Sequence, residues 1–124
     1  MPQKPLVLIA EDDHQLRELL ELSLLDRYRL SLVEDGLQAV ECVQREAPDL
    51  ILMDIKMPKL DGWGAIQEIR SRGFTTPIIV MTGFSDCWNE MNAQRLGVKK
   101  YVSKPFSIPQ LRELIHEEIL SAQG

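Results

Sequence analysis

A chain of 124 residues, 44% hydrophobic and 27% charged, has the size and composition of one globular domain with enough apolar material for a core. Its net charge of −5 argues against direct nucleic-acid binding, which needs basic patches. The apolar run behind the N-terminus is too short for a signal peptide or membrane span, so a cytoplasmic location is expected. Cys42 and Cys87, without any metal-ligand spacing, read as reduced structural thiols.

Leu6 to Ala10 ("LVLIA") predicts a first strand, and Leu16, Leu19, Leu20, Ser23 and Leu24 then follow the period of an amphipathic helix. Tyr28 to Val33 is a weaker, alternating strand with Asp35-Gly36 as the turn behind it. Leu37, Val40, Val43 and Ala47 mark a second helix stopped by Pro48. Leu50 to Met53 is a wholly apolar strand that ends abruptly on a carboxylate, Asp54. A third helix follows with Trp63, Ile66 and Ile69 on one face, ending near Gly73. "PIIVMT", Pro77 to Thr82, is the fourth strand. A fourth helix is expected from a Ser85 cap to Gly97, a left-handed C-cap. "YVSKPF" holds the fifth strand, and Ser107 caps a last helix with Pro109 in its first turn and Leu111, Leu114, Ile115 and Ile119 on its apolar stripe.

Five strands alternating with five helices predict a doubly wound α/β fold over residues 1–124, a parallel sheet covered on both faces. There is no internal repeat, low-complexity tract or linker.

Polar residues gather at the C-terminal ends of the strands: Glu11, Asp12 and Asp13 after the first, Asp54 at the third, Thr82 at the fourth and Lys104 after the fifth. Ligands of open parallel sheets bind outside those ends, where the connections diverge. If the first and third strands are neighbours, Glu11, Asp12 and Asp54 crowd together with Thr82 and Lys104 to one side. Carboxylates about 5 Å apart repel by roughly 3 kcal/mol per pair at an effective dielectric near 20, and one lysine cannot balance three of them. Two compensations remain: a hard divalent cation, for which oxygen ligands suit Mg²⁺, or protonation of one acid. A cation beside a lysine and a hydroxyl is also a site for a phosphoryl group, and Asp54 is the obvious nucleophile, forming an acyl phosphate.

Four motifs at four strand ends now carry a family resemblance: "EDD" after the first strand, "MDIKMPKLDG" around Asp54, "MTG" after the fourth and "KPF" after the fifth. Over essentially its whole length the chain resembles the receiver domain of two-component response regulators. The resemblance implies a flavodoxin-like (βα)5 sheet with strand order 2-1-3-4-5. It implies Asp54 as phosphoacceptor, and Mg²⁺ held by Asp12, Asp54, Glu11 (directly or through water) and the backbone carbonyl of Lys56. It implies that Lys104, aimed by a cis bond before Pro105, holds a phosphoryl oxygen, and that Thr82 and Tyr101 move together as a switch. That switch would remodel the surface of the fourth helix, fifth strand and fifth helix for a downstream effector, a fused output domain or a phosphorylation-dependent dimer. The donor would be a phosphohistidine on a sensor histidine kinase or phosphotransfer protein. The domain would catalyse its own phosphorylation and dephosphorylation without being a conventional turnover enzyme. Lys56 and Phe84, flanking the phosphoryl group, would tune attack by water; Phe84 offers no hydrogen bond to that water and predicts a long-lived phosphoryl group.

Plainer readings stand beside these. Asp13 reads as a helix cap, Asp61-Gly62 as a turn pair, and His14 and His116 as exposed helix residues. A buried strand tyrosine fits Tyr101 as well as a switch does, and Trp88, with Cys87 and Met91 on the fourth helix, reads as a partner contact. Rival functions are a haloacid-dehalogenase-like phosphatase, a flavodoxin-like cofactor binder and a docking module independent of phosphorylation. The first expects a second Asp where Lys56 stands. The second expects a Ser/Thr/Gly-rich phosphate loop where the chain has "EDDHQL". The chain ends soon after the fifth helix, as a stand-alone regulator or an excised receiver would.

Overall fold

The computed structural model describes residues 3–83 and 89–123. Five strands, β1 (Leu6–Ala10), β2 (Arg29–Val33), β3 (Leu50–Asp54), β4 (Ile78–Thr82) and β5 (Lys100–Ser103), form one parallel sheet in the order β2-β1-β3-β4-β5. Between and after them run α1 (His14–Leu24), α2 (Gly36–Glu46), α3 (Gly62–Ser71), α4 (Glu90–Leu96) and α5 (Ile108–Gln123). Every residue of β1, β3 and β4 is buried, as a sheet covered on both faces requires.

The side-chain alternation of the strands divides the core in two. Leu8, Ile51, Met53, Ile78 and Val80 pack with α2, α3 and the end of α4. Val7, Ile9, Leu50, Leu52, Ile79 and Met81 pack with Leu20 and Leu24 of α1 and with Leu111, Ile115 and Ile119 of α5. The helix starts carry the caps that the sequence offers. Asp13 accepts from the Gln15 and Leu16 amides, Asp35 from Gln38, Asp61 from Gly64, and Ser107 from Gln110.

Several sequence expectations need correction. Leu19, assigned to the inward stripe of α1, is 49% exposed, because Leu16, Leu20 and Leu24 already fill the arc that meets the sheet. Leu37 is likewise exposed on α2, and Ala47 lies beyond its end as a left-handed cap with φ of 47°. The cap of α4 is Asn89, whose side chain accepts from the Asn92 amide; Ser85, expected in that role, lies outside the described residues with Phe84, Cys87 and Trp88. Gly97 ends α4 in the left-handed region, φ 70°, as expected.

Candidate functional site

The register of the sheet explains why the acids meet. Ala10 pairs with Met53 across β1 and β3, so one step further Glu11 faces Asp54. Alternation turns both toward the side occupied by Ile9 and Leu52. Both are buried, at 0% and 2% exposure, while Asp12, one residue on, is exposed at the rim. Ligand oxygens of Glu11, Asp12 and Asp54 all fall within 4.8 Å of one another.

Lys104 reaches this cluster from the end of β5. Its ammonium lies 2.8 Å from Glu11 Oε1 and 3.2 Å from Asp54 Oδ1, and its backbone N–H donates to the Thr82 carbonyl at 2.7 Å. The Lys104–Pro105 peptide bond is cis, as the resemblance implied. One ammonium does not satisfy both carboxylates. Asp54 Oδ1 is the one buried side-chain oxygen among the described residues without a hydrogen-bond partner, since Lys104 acts on it as a nearby charge outside bonding alignment.

The electrostatics follow. Burial raises the Glu11 pKa to about 7, outweighing its bonds from Lys104 and the Asp13 amide. Burial also raises Asp54, opposed by the Lys104 charge and assisted by Asp12. Burial opposes the charge of Lys104, but the Glu11 hydrogen bond and the attraction of both carboxylates win and raise its pKa. The pocket is short of positive charge. An orphaned buried oxygen within reach of two further carboxylates fits a hard dication, and the cluster could hold a metal ion.

The β3–α3 connection is held against this site by close backbone approach. The Gly62 amide donates to the Ile55 carbonyl at 2.7 Å, and a Cβ on Gly62 would stand 2.3 Å from the Asp54 carbonyl oxygen. At its other side the Gly36 amide donates to the Leu60 carbonyl at 3.0 Å, and Lys59 pairs with buried Asp35 at 3.7 Å. The Asp61-Gly62 pair is therefore more than a turn: it caps α3 and seats the loop that carries Lys56. Lys56 itself has an exposed side chain, beside a groove that Asp12, Met57 and Trp63 also line.

Thr82 is buried, and its hydroxyl donates to the Val102 carbonyl at 3.4 Å, so it touches the strand that carries Tyr101. Tyr101 is 46% exposed, which overturns the buried-strand reading of that residue. Phe84 falls outside the described residues. His14 and His116 are exposed, as expected. Two contributors escaped sequence reasoning: Arg17, whose guanidinium holds the Glu11 carbonyl, and Gly36. A turn Gly and a helical Arg carry no signal of such contacts without the fold.

The fold and site together define a doubly wound α/β domain with three carboxylates and a lysine gathered at its topological switch point. The family model of the response regulator receiver domain matches residues 7–116, and the chain belongs to that family. It is thus a receiver of two-component phosphorelay signalling, a family apart from the conventional enzymes, whose domains work with histidine kinases and output domains.

Among curated relatives it is 37% identical over 114 residues to the probable transcriptional regulator ycf27 of Porphyridium aerugineum, covering 91% of this chain and 47% of the relative. It is 35% identical over 106 residues to the response regulator MprA of Mycobacterium leprae, covering 85% and 46%. The chain thus spans about half the length of these relatives. Among solved structures, the receiver domain of sensor histidine kinase PA1611 from Pseudomonas aeruginosa superposes with a TM-score of 0.83 at 34% identity, covering 94% of this chain and 98% of that one. That crystal structure has a magnesium ion coordinated in its active-site cleft. The signal receiver domain of a Luxo repressor protein from Vibrio parahaemolyticus gives 0.89 at 26% identity, covering 97% and 93%. Among the described residues no helix is long and apolar enough to cross a membrane.

Proposed function

We propose that Asp54 is the phosphoacceptor of a Mg²⁺-dependent switch comprising residues 1–124 and working in the cytoplasm. The observation that carries this reading is Asp54 Oδ1, buried and without a hydrogen-bond partner between two other carboxylates and one lysine. The side chains of Glu11, Asp12 and Asp54 and the carbonyl of Lys56 are the ligands assigned to Mg²⁺, which would neutralise phosphoryl oxygens. An Asp54 oxygen attacks the phosphorus of a phosphohistidine on a sensor kinase or phosphotransfer protein. The P–O bond forms as the P–N bond breaks, and the electron pair returns to the imidazole.

Lys104 balances charge on the transferred group in place of its Glu11 contact, and Thr82 supplies a hydroxyl. Leaving Val102, Thr82 would vacate space for Tyr101, which starts from solvent. The surface of α4, β5 and α5 would then change toward an effector, an output domain or a second copy. Hydrolysis by the domain itself resets it.

The relatives' greater length supports an output segment elsewhere in the whole protein, as the names of the transcriptional regulators among them suggest. The experiment separating this switch from a phosphatase is incubation with a small phosphate ester and Mg²⁺. At most stoichiometric labelling is expected, and sustained phosphate release would contradict the switch. By the resemblance to the family, Phe84 and Lys56 are assigned the tuning of hydrolysis. The acyl phosphate should therefore outlast that of Phe84→Glu, and a faster decay in the natural chain would refute that assignment.

A further inference from the structure

Asp12 is the exposed member of the acid cluster, yet its main chain is held on both sides. The peptide after it is fixed where the Asp13 amide donates to Glu11 Oε2 at 3.1 Å. The peptide before it is fixed where Arg17 Nη1 donates to the Glu11 carbonyl at 2.8 Å. Arg17 sits in the second turn of α1, where an arginine ordinarily extends into water. Here its side chain is only 15% exposed, and the same guanidinium touches His14 Nδ1 at 3.2 Å and Glu34 Oε1 at 3.9 Å. A guanidinium only donates, so the His14 nitrogen accepts.

We infer that Arg17 is a positioning residue for the metal site: by holding the Glu11–Asp12 peptide plane, it sets the direction in which the Asp12 carboxylate leaves the main chain. The peptide is planar, so fixing the Glu11 oxygen fixes the Asp12 nitrogen and with it the start of the Asp12 side chain. The two anchors are not equivalent. A cation drawing on the Glu11 carboxylate competes with the Asp13 amide for the same group, whereas Arg17 uses the backbone oxygen and keeps its bond. In the loaded site Arg17 is the anchor that endures.

The inference rests on the metal reading proposed above, and its test separates the two by sign. Arg17 is a cation close to the cluster. If it acted by charge alone, its removal would tighten Mg²⁺ binding. If it acts by position, its removal weakens binding.

The experiment is a titration with Mg²⁺ alone, followed by tryptophan fluorescence, since Trp63 lines the groove that Asp12 also lines. It compares the natural chain, Arg17→Met and Arg17→Lys, each shown by urea unfolding to be folded at the titration temperature. Arg17→Met should weaken the apparent Kd about five- to tenfold, and Arg17→Lys, with a single donor head, should recover part of the loss. In metal-free protein the amide resonances of Asp12 and Asp13 should shift in Arg17→Met more than those of residues elsewhere on α1. Equal or tighter Mg²⁺ binding by Arg17→Met overturns the inference and leaves the metal site standing. Absence of any Mg²⁺ response in the natural chain overturns both.

Discussion

The Lys104 ammonium lies 2.8 Å from Glu11 Oε1, nearer to that acid than to Asp54. Glu11 is wholly buried, and neither this contact nor the Asp13 amide offsets its desolvation, so burial raises its pKa to about 7.

The sign of the pH dependence follows. The folded-state pKa exceeds the unfolded value of about 4.5, so the native state binds this proton more tightly. The stability it contributes is complete below about 4.5 and is lost as pH rises through 7, by up to roughly 3 kcal/mol. Urea unfolding in a chelator should show a higher midpoint at pH 5 than at pH 8. Glu11→Gln should flatten that slope, and an unchanged slope in the variant would contradict the assignment.

Asp54→Asn should trade function for stability. Neutralising one buried carboxylate removes repulsion with Glu11 and Asp12, and the lost attraction to Lys104 offsets part of the gain. Without Mg²⁺ we expect the variant to be more stable by about 1–2 kcal/mol, while Mg²⁺ stabilises it less than the natural chain. Thermal unfolding with and without the metal reads both effects. A destabilised variant would show that Asp54 serves the fold.

Gly62→Ala should damage fold and site together. Its Cβ would meet the Asp54 carbonyl oxygen at 2.3 Å, a backbone atom that yields only if β3 or the start of α3 shifts. A loss of about 2 kcal/mol or more is expected, as for overpacking of a tight contact, with weaker Mg²⁺ binding. Ala at Gly97 has open space but a φ of 70°, and should disturb only the end of α4. Denaturant midpoints of the two variants, read beside their Mg²⁺ titrations, distinguish the cases.

Thr82→Ala should separate chemistry from response. Its hydroxyl bond to Val102 is long at 3.4 Å, so its loss should cost less than about 1 kcal/mol. Phosphoryl labelling should persist at a reduced rate, while the Tyr101 ring resonances should no longer move on labelling. A full Tyr101 response in Thr82→Ala would disconnect the two residues.

Much of this was legible in the sequence because the sheet is simple. β1 and β3 read directly from apolar runs, and alternation with helical periods left few topologies. The ends of β1, β3, β4 and β5 then named Glu11, Asp54, Thr82 and Lys104. What the sequence left open depends on geometry of fractions of an ångström or on helix rotation. Leu19 fits the inward stripe by spacing yet lies past the arc the sheet can cover. The strand period alone did not say that Tyr101 faces water, because β5 is a short edge strand at the end of the sheet. Nothing in the spacing shows Arg17 folding back on the Glu11 carbonyl, or that Gly36 and Gly62 are seats for a neighbouring backbone.

The most direct test of the central claim is mass spectrometry of the intact chain after incubation with acetyl phosphate, with and without Mg²⁺, for the natural protein and Asp54→Asn. One added phosphoryl group is predicted, dependent on Mg²⁺ and absent from Asp54→Asn. Labelling that ignores Mg²⁺, or that survives in Asp54→Asn, would contradict the account.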